Sequence, residues 1–261
     1  MTAQSKLLFM KPKWFTRRER LKFAKDFHRR IKGMFGDELV AVGIYGSVAR
    51  HRDQPYSDLE MLVIMKKPCT HQAFEGIYKG LKYEINFYTR SEMKKEISTI
   101  DIDWPVRVGQ YMKVLPMYDP RNVFAIFARE YERVVEKDFS PYIAKAFYCD
   151  IFEIFSKFFN ARERRDHHSV RYLTFMICDS VSKLLGLINK RYYHSIAERY
   201  QEAVKMRKNF PSFIGLMRHV VSGKMEDIEE LSFLAEQLYQ EIVLYLEEED
   251  IQYMIGESVP F

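Results

Sequence analysis

The sequence predicts an α+β protein, with a mixed α/β half followed by an all-helical half. Three observations carry that expectation. Apolar, strand-like runs fall before residue 90, at Glu38–Tyr45, Asp58–Met65 and Lys82–Thr89. Beyond residue 120 the texture turns to long amphipathic stretches with little strand character. A turn signal, Asp119-Pro120, stands at the change. The boundary is expected within 120–130, giving domains of 1–127 and 128–261.

Taken in order, Thr16 and Glu19 form a capping box that starts a basic, amphipathic helix ending near Gly33 and Gly36. Leu21, Ala24, Phe27 and Ile31 mark its apolar side. Its basic residues read as a solvated face or as a field attracting a polyphosphate. "ELVAVGIY" is near-continuously apolar and suits a strand covered on both faces. "CTHQAFEGIYKGL" reads as a loop or short helical turn between two strands. "SEMKKEISTI" is a helix opened by Ser91, and "VLPMYDP" a short strand. The helical half is expected to run through 121–160, 166–190, 195–208, 211–222 and 226–249, an up-and-down bundle joined by short loops.

Composition excludes several classes. A hydrophobic fraction of 47% with 15% aromatics supports a packed core rather than disorder. No run approaches the roughly 18 apolar residues of a membrane helix, and the N-terminus lacks a signal-peptide core. Cys69, Cys149 and Cys178 lack C-x-x-C spacing, which argues against a disulfide framework or a zinc site and fits a reducing, cytoplasmic setting. A net charge of +5 is too mild to indicate a nucleic-acid binder. No membrane and no nucleic-acid partner is expected.

The informative stretch is "VGIYGSVARHRDQPYSDLEMLVIM". Asp58 and Glu60 are two apart in a strand, so they project from one face while Leu59 packs oppositely. Paired carboxylates stay ionised in a low-dielectric setting only beside a cation. Hard oxygens in that arrangement suit Mg2+, which shares its remaining positions with water and substrate phosphates. Glu84 on the next strand candidate reaches the same pocket if the strands are adjacent. Upstream, Gly46-Ser47 forms a tight turn where backbone can approach a phosphate, and Arg50 adds a bidentate phosphate partner. A phosphate cradle beside a metal-binding pair is the layout of phosphoryl or nucleotidyl transfer.

Gly46-Ser47, Arg50, Asp58-x-Glu60 and Glu84 resemble the nucleotidyltransferase superfamily related to polymerase β. Within it, "GIYGSVARHRDQPYSDLEMLVIM", "KYEINF", "DWPVRVGQY" and the terminal "VPF" resemble the aminoglycoside 4'-nucleotidyltransferases, in order along nearly the whole chain. The resemblance implies a polymerase-β-like domain followed by the helical bundle. It also implies MgATP-dependent transfer of AMP to a hydroxyl of an antibiotic such as kanamycin, in a homodimer with each active site between subunits. Asp58 and Glu60 would then bind Mg2+, with Glu84 as a third acid near metal and acceptor. Gly46, Ser47, Arg50, Ser57 and Lys82 would contact the triphosphate. Glu153, read alone as half of a surface i,i+4 pair with Lys157, becomes by resemblance the base that deprotonates the acceptor, and Lys157 a triphosphate ligand. Apolar neighbours are expected to raise the pKa of Glu153. Asp103 and Gln110 match positions near the acceptor, with Asp101 and Asp150 further candidates. Cys149 stands where the resemblance leads one to expect an acid, which points to an altered acceptor or weaker binding.

Overall fold

The computed structural model describes residues 12–70 and 73–253. The terminal "VPF" lies outside them. The chain forms two compact units: residues up to Ser98 with Val108–Val134, and Thr99–Arg107 with the residues from Val135 onward.

In the first unit, α1 (Arg17–Phe35) begins at the predicted capping box, with the Thr16 backbone N–H donating to Glu19 at 2.7 Å. Its buried residues Ala24, Phe27 and Ile31 pack on one face of a five-stranded mixed sheet. β1 (Leu39–Ile44) is buried throughout, as its apolar run predicts. A short helix, α2 (Gly46–Ala49), leads by a loop to β2 (Leu59–Met65). Then follow β3 (Ala73–Tyr78), β4 (Leu81–Thr89), α3 (Arg90–Ser98), α4 (Trp104–Tyr111, assigned to this unit from Val108), β5 (Leu115–Tyr118) and α5 (Val123–Val135). Strand order is β3-β4-β2-β1-β5, with β2 and β4 parallel and the other pairs antiparallel.

β3 corrects the reading of "CTHQAFEGIYKGL" as loop or helical turn. Lys79 and Gly80 both take positive φ (54° and 92°), the twist that closes a tight hairpin onto β4. With one face open and Ile77 exposed, the strand has too weak an apolar alternation to be read from sequence.

The second unit contains α6 (Ser140–Ala146), a π-helical turn (Phe147–Ile151), α7 (Phe152–Glu163), α8 (His167–Ile188), α9 (Arg199–Ala203), α10 (Pro211–Ser222) and α11 (Ile228–Glu248). The expected helix over 121–160 is broken. Asp138 accepts from the Ser140 backbone N–H at 2.9 Å and Pro141 stands in the first turn of α6, so the chain restarts there. The expected helix over 195–208 shrinks to α9. Ser195 accepts from the Glu198 backbone N–H (3.1 Å) and Glu202 from that of His194 (3.2 Å), holding the flanks as turns. Among the described residues no helix is long and apolar enough to cross a membrane.

Candidate active site

In the first unit, register brings the acids together. β2 and β4 pair in parallel with Glu60 opposite Glu84, and β3 sets Glu75 on the far side of Glu84. Lys82 is engaged within this row, its Nζ 2.8 Å from Glu75 Oε1. Glu84 is held from two sides: Asn86 Nδ2 donates to its Oε1 at 2.5 Å and the Tyr45 hydroxyl at 3.2 Å. Asn86 also donates to the Tyr45 oxygen at 2.8 Å, which closes the network.

Glu60 is the perturbed member. Burial, then the charges of Asp58 and Glu84, push its carboxyl up to about 7, while Arg50 and the Ser47 backbone N–H pull it down. The like charges of Asp58 and Glu84 are the part of that shift that a cation in this corner would relieve. Gly46 is required by both conformation and space. Its φ is +67°, and a Cβ there would lie 1.5 Å from Glu60 Oε2. Next to it, the buried Ser47 Oγ has no hydrogen-bond partner among the described residues. The Arg50 guanidinium reaches the Gly109 carbonyl at 3.4 Å.

The loop carrying Asp58 is fixed by α1 in a way sequence did not suggest. Arg20, 1% exposed, donates to the carbonyls of Phe15, Gln54, Pro55 and Ser57 at 2.6–2.8 Å and to Asp53 at 3.1 Å. Arg17 joins Asp53 at 2.9 Å and also bonds the Val48 carbonyl. Two of the basic residues read as solvated or polyphosphate-attracting are thus clamps between the Gly-Ser turn and the acid pair. Ser57 belongs to this loop, its Oγ accepting from the Gln54 backbone N–H at 2.9 Å.

These groups fit a hard divalent cation. Among the described residues no three acids, imidazoles or thiols already converge as a ligand set. The corner instead offers Asp58 and Glu60, with Glu84 beside them, and Mg2+ commonly takes one or two carboxylates and fills the rest from water and phosphate.

In the second unit, Glu153 and Lys157 lie one turn apart on α7 and pair at 2.5 Å. Their side chains are 61% and 59% exposed, which corrects the expectation of an apolar setting. Phe155 and Phe158 are buried on another side of the helix. The Lys157 ammonium holds the Glu153 carboxyl below, not above, the usual range. Asp103 opens α4 and pairs with Lys183 Nζ at 2.8 Å. Arg107 pairs with Asp101 at 3.0 Å. Asp150 lies in the π-helical turn, its carboxyl raised by burial and by Asp103 despite Lys183. Cys149 is an exposed free thiol. Gln110 is half-buried in the last turn of α4 and belongs to the first unit. Tyr45, Asn86, Arg20, Lys183 and Asp179 were not found from sequence, because each acts through contacts distant along the chain.

A mixed sheet carrying an acid pair beside a Gly-Ser turn, followed by a helical region, defines the nucleotidyltransferase class. A nucleotidyltransferase-like protein from Exiguobacterium sibiricum shares the fold, with a TM-score of 0.53 over 89% of this chain and 80% of its own at 14% identity. The family model described as KNTase C-terminal domain matches residues 121–252, just over half of the chain. The chain belongs to that family. It is also 28% identical over 246 residues to aminoglycoside nucleotidyltransferases (4') from Staphylococcus aureus and a Bacillus species, covering 94% of this chain and 97% of each relative.

Proposed function

We propose that the protein transfers AMP from ATP to a hydroxyl of an aminoglycoside such as kanamycin, releasing pyrophosphate in a Mg2+-dependent reaction. The observation that carries this reading is the corner where Glu60, in register with Glu84, closes against Gly46. The relatives' names supply the acceptor class.

Each group has a task. Asp58 and Glu60 hold Mg2+, with Glu84 fixed alongside by Tyr45 and Asn86. When bound, the cation withdraws charge from the α-phosphate and the departing pyrophosphate. Ser47 Oγ, buried without a partner among the described residues, donates to a phosphate oxygen, and Arg50 supplies positive charge at the same corner. Ser57, Lys82 and Lys157 are further triphosphate contacts, Lys82 by leaving Glu75 and Lys157 by leaving Glu153. Glu153 takes the proton of the acceptor hydroxyl. The acceptor oxygen then bonds to the α-phosphorus as the bond to the bridging oxygen of pyrophosphate breaks. Asp103, Glu84 and Gln110 contact the acceptor, with Asp101 and Asp150 adding negative charge for its ammonium groups. The active molecule is a homodimer in which one copy's acids meet the other's Glu153, and three free cysteines suit a cytoplasmic setting.

The test is incubation with radiolabelled ATP, Mg2+ and a panel of aminoglycosides. Labelled antibiotic and pyrophosphate are expected, both abolished by chelator. No labelled product across the panel overturns the acceptor assignment. Cys149, a thiol where an acid is expected, favours as second reading another hydroxylated acceptor. A thermal-shift screen separates the two, since the true acceptor stabilises the fold by mass action.

A further inference from the structure

Lys183, on α8, sits among acids of the helical unit. Its Nζ lies 2.8 Å from Asp103 and 3.5 Å from Asp179, one turn before it on the same helix. The Lys183 side chain is 23% exposed and that of Asp179 27%, so neither ion is freely solvated. Asp179 also binds the Arg199 guanidinium. Asp150 feels Asp103, Asp101 and Glu153 as like charges and Lys183 as the opposing one. Three acids thus bear on Lys183: Asp103 and Asp179 as ion partners, and Asp150 through its charge.

An ammonium held by carboxylates is chemically what an aminoglycoside brings to a binding site. Lys183 carries the same group on a tethered stem, contributed by the protein itself. Any acceptor ammonium that uses Asp103 must share it with Lys183 or displace it, and the positive charges repel. We propose that Lys183 is a specificity-determining residue, an internal ammonium that occupies one cation position of the acceptor pocket and selects acceptors with one fewer ammonium group there. This rests on the reading of Asp103 as an acceptor contact.

The experiment compares wild type with Lys183→Met and Lys183→Gln, using aminoglycosides of one scaffold that differ in amino-group number. Loss of the charge is expected to lower KM about three- to tenfold for the most highly aminated acceptor and less for the others, with kcat and the KM for ATP unchanged. Lys183→Arg, which keeps the charge, is expected to behave as wild type. A lone structural ion pair would change the melting temperature without an acceptor-dependent change in KM. An unchanged or raised KM in a folded charge-free variant overturns the proposal, as does failure of both such variants to fold. Wild type inactive on every aminoglycoside would instead overturn the acceptor assignment, and the two failures are distinguishable.

Discussion

Two carboxylates carry opposite electrostatic signatures. Glu60 in the sheet unit is half-buried beside like charges and its carboxyl is pushed up to about 7. Glu153 in the helical unit is exposed beside Lys157 and its carboxyl is held down. On the proposed reading, the difference separates two tasks. A carboxylate cornered by other anions acts by attracting a cation, and its neighbours must be rigid for the charge to be concentrated. Arg20, Gly46, Tyr45 and Asn86 supply that rigidity. A base that must accept a proton needs access to substrate. On the proposed reading, exposure gives Glu153 that access, and before substrate binds Lys157 holds its carboxyl below the usual range.

The sharpest way to break the comparison is to neutralise each side. Asp58→Asn is expected to reduce kcat/KM by at least about a thousandfold, by loss of metal-dependent charge stabilisation, with the fold intact. Activity unchanged in steady-state assays would remove the metal role. Glu153→Gln is expected to lower kcat by about 10²–10⁴ with little change in the KM for ATP, as loss of a general base does. A KM effect alone would make it a binding residue.

Stability sharpens the same contrast. A carboxyl that titrates near 4.5 when unfolded and about 7 when folded favours the fold below 4.5. That contribution is lost as pH rises through 7. Glu60→Gln, neutral throughout, should therefore raise the melting temperature of metal-free protein at pH 8, by on the order of 1–3 kcal/mol in stability, and less at pH 5. It should do so while losing activity. Gly46→Ala should have the opposite sign, costing about 1–2 kcal/mol in backbone strain beyond its clash with Glu60. The smallest effect on stability is expected at Lys157→Met, which should also raise the KM for ATP because Lys157 is a proposed triphosphate contact. With the ammonium gone, the Glu153 carboxyl returns toward its ordinary range and the acid limb of the pH–rate profile moves to higher pH.

The parts legible in sequence were those coded locally. The capping box, the fully apolar β1, the alternation of Asp58 and Glu60 about Leu59, and the Gly-Ser turn each lie within a few residues. What connects them was not. The sheet order that puts Glu60 beside Glu84 depends on which strands pair, and no local pattern specifies that. β3 was missed because a half-exposed edge strand alternates weakly. Arg20 looked like one more surface cation, since nothing local shows that loop carbonyls 34–37 residues away will surround it. Glu153 was placed in apolar surroundings because phenylalanines adjacent in sequence point to other sides of a helix in space.

The central claim is that these two unlike carboxylate regions are halves of one site donated by different copies of the chain. Co-expression of Asp58→Asn with Glu153→Gln tests it directly. Each variant alone is expected to be strongly impaired, whereas a mixed dimer would contain one site with both groups intact. The account predicts recovery to roughly a quarter of wild-type transferase activity under random pairing. Activity no higher than that of the separate variants would contradict it.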